Sequence, residues 1–172
     1  MPLRLFHISE QQGIELFEPR PSPSAFEQIT GDVVFAISDR LLHNYLLPRE
    51  CPRVTYYASS DTSAADKAKF RGSSNAAYII TVESAWYQRI ADTTLYCYEF
   101  PTDNFTLLDE CAGYYVSYFP LKPISEQVIS NPIAEILKRN IELRFTPNLK
   151  SLAAAVAKST LNFSLIRMRN AL

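Results

Sequence analysis

Eleven prolines divide this chain of 172 residues into short segments, and this spacing limits the regular structure that it can form. Proline lacks a backbone N–H and fixes φ, so helices and central strands end near it. The helix predicted over residues 39–46, for example, is ended by Pro48. Helices of this length are too short for regular parallel β-α-β crossovers. The pattern predicts one domain over residues 1–172, with an α+β fold built on a mixed, largely antiparallel sheet.

Several segments have the composition and pattern of β-strands. Residues 33–37 form a short apolar run after a Gly-Asp turn signal, which suits a buried strand. Residues 53–58 are rich in β-branched and aromatic side chains, which favour strands. Leu95–Phe100 alternates between two faces, as a half-buried strand does. Further strands are predicted over residues 3–9, 77–83, 113–119 and 141–145.

The last part of the chain has a more helical pattern. Helices are predicted over residues 133–139 and 149–158, and a final helix or turn is predicted after Leu161, which together make a helical C-terminal end. Residues 138–172 hold seven basic residues and one acidic residue, although the whole chain has a net charge of -1. A basic region can attract phosphates or nucleic acid. These basic residues are dispersed, so solvated or internally paired side chains are favoured over a nucleic-acid surface.

Composition narrows the class of protein. No run approaches the roughly 18 apolar residues that a membrane span needs, and the N-terminal segment lacks a signal-peptide pattern. Cys51, Cys97 and Cys111 fit no zinc spacing and no disulfide framework. We therefore expect a cytoplasmic protein with reduced thiols, no metal and no membrane partner. The sequence gives no indication of the oligomeric state.

His7 is the first candidate functional residue, because it lies inside an apolar predicted strand. A buried imidazole without a partner costs free energy, so this ring should be hydrogen-bonded or functional. Strand alternation places Leu5, His7 and Ser9 on one face. Two interpretations stay open: a ligand-binding histidine, and a structural one bonded to a backbone carbonyl or a tyrosine hydroxyl.

Other candidates lie near the ends of predicted strands. Arg53 begins a strand and could hold a phosphate, although a surface ion pair is the more common role of an arginine. Tyr57 and Tyr115 could stack on a base or a nicotinamide ring, or they could be core residues. Glu83 follows an apolar strand, where a carboxylate can act as a general base or favour a helix start. Cys51 with a histidine would suit a hydrolase, but a buried cysteine usually behaves as a small hydrophobe.

Most of the chain resembles a family of uncharacterised bacterial proteins of about this length. The resemblance begins with Leu5-Phe6-His7-Ile8-Ser9 and the "IELFEPR" of residues 14–20. It continues through the "CPRV" of residues 51–54, the "ESAW" of residues 83–86 and the "IRMRNA" that closes the chain. This resemblance implies a family but no activity.

Two motifs are also similar to the ADP-ribosyltransferase-like superfamily. They are His7-Ile8-Ser9 and the "VFAISD" of residues 34–39. The likeness implies an ADP-ribosyltransferase-like fold in which His7 hydrogen-bonds a ribose hydroxyl of NAD and an aromatic side chain stacks on nicotinamide. It also implies a late glutamate that stabilises an oxocarbenium-like transition state. Residues 113–119, where that glutamate is expected, contain no acid, and the surroundings of Glu142 do not match the motif.

The leading hypothesis is therefore a pocket for NAD or a related nucleotide in an ADP-ribosyltransferase-like fold. Its ligand-binding residues would be His7, Ser9, Arg53, Tyr57 and Tyr115. Glu83 would be the candidate catalytic residue if the protein is an enzyme. The alternative is a non-catalytic interaction module in which His7 is structural and the basic C-terminal region meets a partner.

Overall fold

The computed structural model describes all residues, Met1–Leu172. The predicted α+β fold, with a largely antiparallel sheet arrangement and short helices, is confirmed, since only one of the strand pairings is parallel. The ten strands are β1 (Leu5–Ser9), β2 (Val34–Ser38), β3 (Arg53–Tyr57), β4 (Ile79–Glu83), β5 (Leu95–Phe100), β6 (Thr106–Asp109), β7 (Tyr114–Ser117), β8 (Ser125–Ile129), β9 (Glu142–Thr146) and β10 (Asn162–Ile166). The four α-helices are α1 (Ala64–Asp66), α2 (Tyr87–Asp92), α3 (Pro132–Lys138) and α4 (Lys150–Ala157).

The chain divides into two compact units. Unit 1 consists of residues Met1–Leu42 and Leu95–Ile129, and unit 2 consists of His43–Thr94 and Ser130–Leu172. Each unit contains one sheet.

Unit 1 is built on a six-stranded antiparallel sheet with the strand order β6-β7-β2-β1-β5-β8. One face of this sheet carries a core in which Leu5, Tyr98 and Phe100 pack with Phe17 from the segment between β1 and β2. β1 pairs with β5 along its whole length, whereas its ladder with β2 ends at the pair of Phe6 and Ile37. The two neighbouring strands therefore separate from the position of His7 onward.

Unit 2 is built on a four-stranded sheet with the order β10-β3-β4-β9, in which the pairing of β4 with β9 is parallel. Val54 and Tyr56 from β3 and Ile79 from β4 form its core with Val156 from α4. Every residue of β4 is buried, as expected for an apolar strand in the middle of a sheet.

The helices are short, and several have non-α geometry. The helix predicted over residues 39–46 is a 3-10 helix, Asp39–Tyr45. Ser63 caps α1 by accepting a hydrogen bond from the backbone N–H of Asp66. α1 continues as a π-helix, Lys67–Arg71, which ends at Gly72 with φ at 58°. No helix is both long and apolar enough to cross a membrane.

Two parts of the sequence prediction differ from the structure. The helix or turn predicted after Leu161 is wrong, because β10 occupies Asn162–Ile166 and is followed by a 3-10 helix, Met168–Asn170. β8 was not predicted, since its exposed polar sequence lacks the apolar alternation of a strand. Both strands lie at the edge of a sheet, where pairing with a single neighbour stabilises them.

Candidate functional site

His7 lies on β1, half-buried, at the point where β1 and β2 separate. Its Nδ1 donates to the carbonyl oxygen of Phe35 at 3.2 Å. The ring also packs edge-on against Phe17, with 5.0 Å between ring centroids, and lies 6.2 Å from the ring of Phe100. The hydrogen bond fixes the proton on Nδ1 and holds the ring orientation. His7 thus links two strands where their backbone ladder has ended.

Ser9 and Tyr98 organise the turn that follows β1. The hydroxyl of Ser9 accepts a hydrogen bond from the backbone N–H of Gln11 at 3.0 Å. The hydroxyl of Tyr98, directly opposite His7 in the sheet, donates to the carbonyl of Gln11 at 2.8 Å and accepts from the N–H of Ile14 at 3.1 Å. Burial raises the pKa of Tyr98, which keeps this hydroxyl protonated as a donor. The hydroxyl of Ser9 is thus bonded within this turn, to the backbone of Gln11.

Tyr115 lines a cavity of about 350 Å³ at one end of the unit 1 sheet. Ser38 and Gly113 form part of its wall, and Ser38 Oγ is buried without a hydrogen-bond partner. Gly113 has φ at 70°, and a Cβ atom there would lie 2.6 Å from Ser38 Oγ. A larger residue at this position would therefore be strained and would crowd the wall. The cavity is lined by Met1, Pro2, Leu3, Arg4, Ser38, Asp39, Arg40, Leu107, Glu110, Gly113 and Tyr115.

Two arginines and two acidic residues are among the residues that line this cavity. Arg4 donates from Nε and Nη2 to the two carboxylate oxygens of Glu99, at 2.8 and 2.9 Å. This hydrogen bond lowers the pKa of Glu99. Arg40 donates from Nη2 to the carbonyl oxygen of Glu110 at 2.8 Å. These contacts hold both guanidinium groups in place, and the acidic residues Asp39 and Glu110 also line the cavity.

Arg53 is buried inside unit 2, with 1% of its surface exposed. Its guanidinium donates to four backbone carbonyl oxygens: Nη1 to Asn44 at 2.9 Å, Nη2 to Pro48 at 2.7 Å and to Arg49 at 3.4 Å, and Nε to Cys51 at 2.9 Å. These contacts hold the segment before β3 around one planar, forked group. The ligand-binding role of Arg53 stays a prediction, and the contacts described here are structural.

Glu83 ends β4 and is also 1% exposed. Its Oε1 accepts from the backbone N–H of Leu149 at 3.1 Å and from that of Leu172 at 2.9 Å. Its Oε2 is buried with no hydrogen-bond partner. The carboxylate therefore connects two distant parts of unit 2 to the end of β4. Its role as a general base stays a prediction.

Tyr57 is the third candidate in unit 2. Its ring lies 5.0 Å from that of Tyr78, and the ring of Tyr78 lies 4.5 Å from that of His43. Tyr57 is half-buried, whereas His43 is buried. The three rings form a row in which Tyr57 is the more exposed end.

Cys51, the candidate nucleophile of the hydrolase hypothesis, is fully buried in unit 2. Burial raises the pKa of Cys51 to about 11, so its thiol is protonated at neutral pH. A protonated thiol is a poor nucleophile, which argues against the hydrolase hypothesis. No group of three or more His, Cys, Asp or Glu side chains has an arrangement that could hold a metal ion.

The predicted site residues thus fall into two groups. His7, Ser9 and Tyr115 belong to unit 1, and Arg53, Tyr57 and Glu83 belong to unit 2. Within unit 1, the cavity includes Tyr115 but neither His7 nor Ser9.

Arg4 and Arg40 are cavity residues that sequence reasoning missed. They converge because Leu5 and Ser38 are paired in neighbouring strands, and Asp39 donates its backbone N–H to the carbonyl of Arg4 at 3.2 Å. The residues that flank this pair must then lie at the same end of the sheet. No motif or spacing in the chain marks them in advance.

Comparison with known proteins identifies one family. The model of a family of unknown function (DUF6886) matches residues 6–171 of the chain. No curated protein matches the sequence of the chain. No solved structure matches it.

Proposed function

This chain belongs to DUF6886, a family of unknown function, and we propose that it binds a nucleotide of the NAD type in the Tyr115 cavity of unit 1. One observation carries the proposal: Tyr115 and two arginines, Arg4 and Arg40, are among the residues that line one cavity. An aromatic face can stack on a base or a nicotinamide ring. Guanidinium groups bind phosphate oxygens through directed N–H groups.

The charge balance of the cavity narrows the ligand. Arg4 is paired with Glu99, and Asp39 and Glu110 line the cavity beside Arg40, so the lining carries no large positive excess. Such a lining suits a ligand in which phosphate charge is partly compensated, as in NAD, better than a triphosphate. The volume of about 350 Å³ lies within the range of small-molecule sites.

The similarity to ADP-ribosyltransferase-like proteins supports the same class of ligand. The two motifs that carry it lie on the neighbouring strands β1 and β2; the motif of residues 34–39 reaches the cavity with Ser38 and Asp39, whereas His7-Ile8-Ser9 lies outside the cavity lining. We propose binding without assigning a chemical step, because the late glutamate of that superfamily has no counterpart and Glu83 anchors backbone groups of unit 2. The three free cysteines fit the proposed cytoplasmic location.

The test is the thermal stability of the protein in the presence of NAD, ADP-ribose or ATP. Ligand that binds only the folded state raises the melting temperature. We expect NAD to raise it by several degrees, and ADP-ribose and ATP, which lack the positively charged nicotinamide, to raise it less. Tyr115→Ala should remove the shift, whereas Tyr115→Phe should keep most of it because the ring remains.

Tyr87→Ala is the matched control, since Tyr87 is exposed and lies in unit 2, outside the cavity. This variant should show the same shift as the unsubstituted protein. Absence of any shift with NAD, or an undiminished shift in Tyr115→Ala, would refute the proposal.

A second candidate function is a non-catalytic interaction module, and the position of His7 favours it. The Nδ1 of His7 is committed to the Phe35 carbonyl, and its ring packs in the unit 1 core. If His7 is purely structural, His7→Ala lowers the melting temperature but leaves any nucleotide-induced shift intact. If His7 also contacts the ligand, as the superfamily likeness implies, the same variant removes the shift.

A further inference from the structure

The four outermost strands of the two sheets differ in their protection against pairing with another chain. An exposed strand edge is a template for intermolecular pairing, and natural proteins block it with charges, prolines or bulges. β6 carries Asp109 and an irregular register, β8 carries Glu126, and β9 carries Glu142 and Arg144. β10, with the sequence NFSLI, has no charge, no proline and no bulge.

β10 also exposes apolar surface. It is hydrogen-bonded within the sheet only to β3, so its other edge has no strand beside it. Phe163 and Leu165 are 41% and 37% exposed and lie on the face that they share with Tyr56 and Val54. The apolar face of the unit 2 sheet therefore extends to its open edge.

We propose that β10 pairs with β10 of a second copy of this chain, antiparallel and centred on Ser164. This register sets Ser164 opposite itself, Phe163 opposite Leu165, and Asn162 opposite Ile166. Aromatic and aliphatic side chains in directly opposed positions form favourable cross-strand pairs. Pairing would join two four-stranded sheets into one continuous sheet with a two-fold axis.

The order of residues and charges argues for a second copy as the occupant. Reading β10 in either direction gives a polar centre at Ser164 flanked on both sides by an apolar residue. The first charge after the strand is Arg167, which the register sets opposite Leu161 of the other copy. The two Arg167 side chains would then be about 20 Å apart along the sheet, six residues at roughly 3.4 Å each. This register therefore keeps the two Arg167 charges apart while β10 keeps its conformation.

The end of β10 also limits the length of the pairing. Arg167 has φ at 54°, a left-handed conformation that turns the chain out of the strand. Its guanidinium and that of Arg169 lie 3.6 and 3.1 Å from carboxylate oxygens of Glu50 within the same copy. The flanking positive charges are thus already paired beside a neutral five-residue edge.

The first test is the mass of the protein in solution, measured by light scattering between about 10 μM and 1 mM. We expect a dimer whose fraction rises with concentration. Ser164→Lys and Ser164→Glu each place two like charges face to face at the axis, so each should be monomeric. An equimolar mixture of the two variants should restore a dimer, because the opposed charges are then complementary. Gln127→Lys on the edge strand β8 is the control and should remain dimeric.

The second test does not depend on a destabilising charge. Ser164→Cys, in a Cys111→Ser background that removes the exposed native thiol, should form a disulfide-linked dimer under mild oxidation. Directly opposed residues in an antiparallel pair have Cα atoms about 4.5–5.5 Å apart, within reach of a disulfide. Gln127→Cys in the same background should stay monomeric on a non-reducing gel. A protein that is monomeric at 1 mM, or a Ser164→Cys variant that links no faster than Gln127→Cys, overturns the proposal.

Discussion

Arg4 in unit 1 and Arg53 in unit 2 each begin or precede a strand, but their surroundings differ. Half of the Arg4 side chain is exposed, and its guanidinium meets the carboxylate of Glu99 beside an open cavity. Arg53 is 1% exposed, and its guanidinium donates to several backbone carbonyl oxygens inside unit 2. The same side chain thus lies at a cavity that could take a ligand in one unit and organises a loop in the other.

This difference shows why burial has to be known before a charged residue is given a role. A guanidinium at the surface loses little when its partner is removed, because water replaces the contact. A buried one satisfies groups that water cannot reach, so its loss leaves several carbonyls without donors. Variants that remove the exposed guanidinium of Arg4 or the buried guanidinium of Arg53 test this difference in stability.

The largest effect is expected for Arg53→Met. The variant keeps a long apolar side chain but removes the donors to Asn44, Pro48 and Cys51, so we expect the free energy of unfolding to fall by about 3 kcal/mol or more. Urea unfolding followed by circular dichroism and by the single tryptophan, Trp86 of unit 2, measures the loss. Arg4→Met is the matched control and should cost less than about 1 kcal/mol. Equal losses of unfolding free energy in the two variants would contradict the inference that burial makes Arg53 more important for stability than Arg4.

A smaller effect is expected at Glu83. Glu83→Ala removes the acceptor for the N–H groups of Leu149 and Leu172 and should cost about 1–3 kcal/mol. Glu83→Gln keeps a side-chain carbonyl in the same place and should recover most of that stability. The same urea titrations compare the two variants. If Glu83→Gln were as unstable as Glu83→Ala, the negative charge, not the hydrogen-bond geometry, would be the stabilising feature.

The smallest effect is the pH dependence of the ion pair in unit 1. The hydrogen bond from Arg4 lowers the pKa of Glu99 in the folded state. The stabilisation is therefore complete above the ordinary glutamate pKa of about 4.3 and is lost as the pH falls through the lowered value. We expect a loss below about 1 kcal/mol because the pair is partly exposed.

The measurement for Glu99 is the difference in unfolding free energy between the unsubstituted protein and Glu99→Gln at pH 7 and near pH 3. The difference cancels the contribution of Glu50, Asp66 and Glu142, whose pKa values are also lowered by hydrogen bonds. A difference that grows on acidification would contradict the assigned direction.

Local sequence patterns located most strands because the patterns arise from neighbours along the chain. β5 coincides with the predicted strand, although both of its faces contribute buried residues: Leu95 and Cys97 on one, Tyr98 and Phe100 on the other. A half-buried strand was the expectation, and the position of β5 inside a six-stranded sheet explains the difference. β10 was predicted as a helix or turn because its strand conformation depends on pairing with β3, far away in the sequence.

The candidate site shows the same limit. Tyr115 was identified from its aromatic strand, but Arg4 and Arg40 meet it only through the register of β1, β2 and β7. Arg53 and Glu83 were chosen for residue type and position near strand ends. Whether such a group faces solvent or backbone is decided by packing, which the local sequence does not contain.

The early end of the ladder between β1 and β2 gives the amide hydrogens of one strand two different environments. The carbonyl of Arg4 accepts from Asp39, so alternate residues from Arg4 onward, including Ile8, direct their backbone groups toward β2. His7 directs its own backbone groups toward β5, where pairing continues to Ser9. The Phe35 carbonyl across from Ile8 is bound by the His7 ring. The amide hydrogen of Ile8 should therefore exchange with deuterated water much faster than that of His7, although the two residues are adjacent.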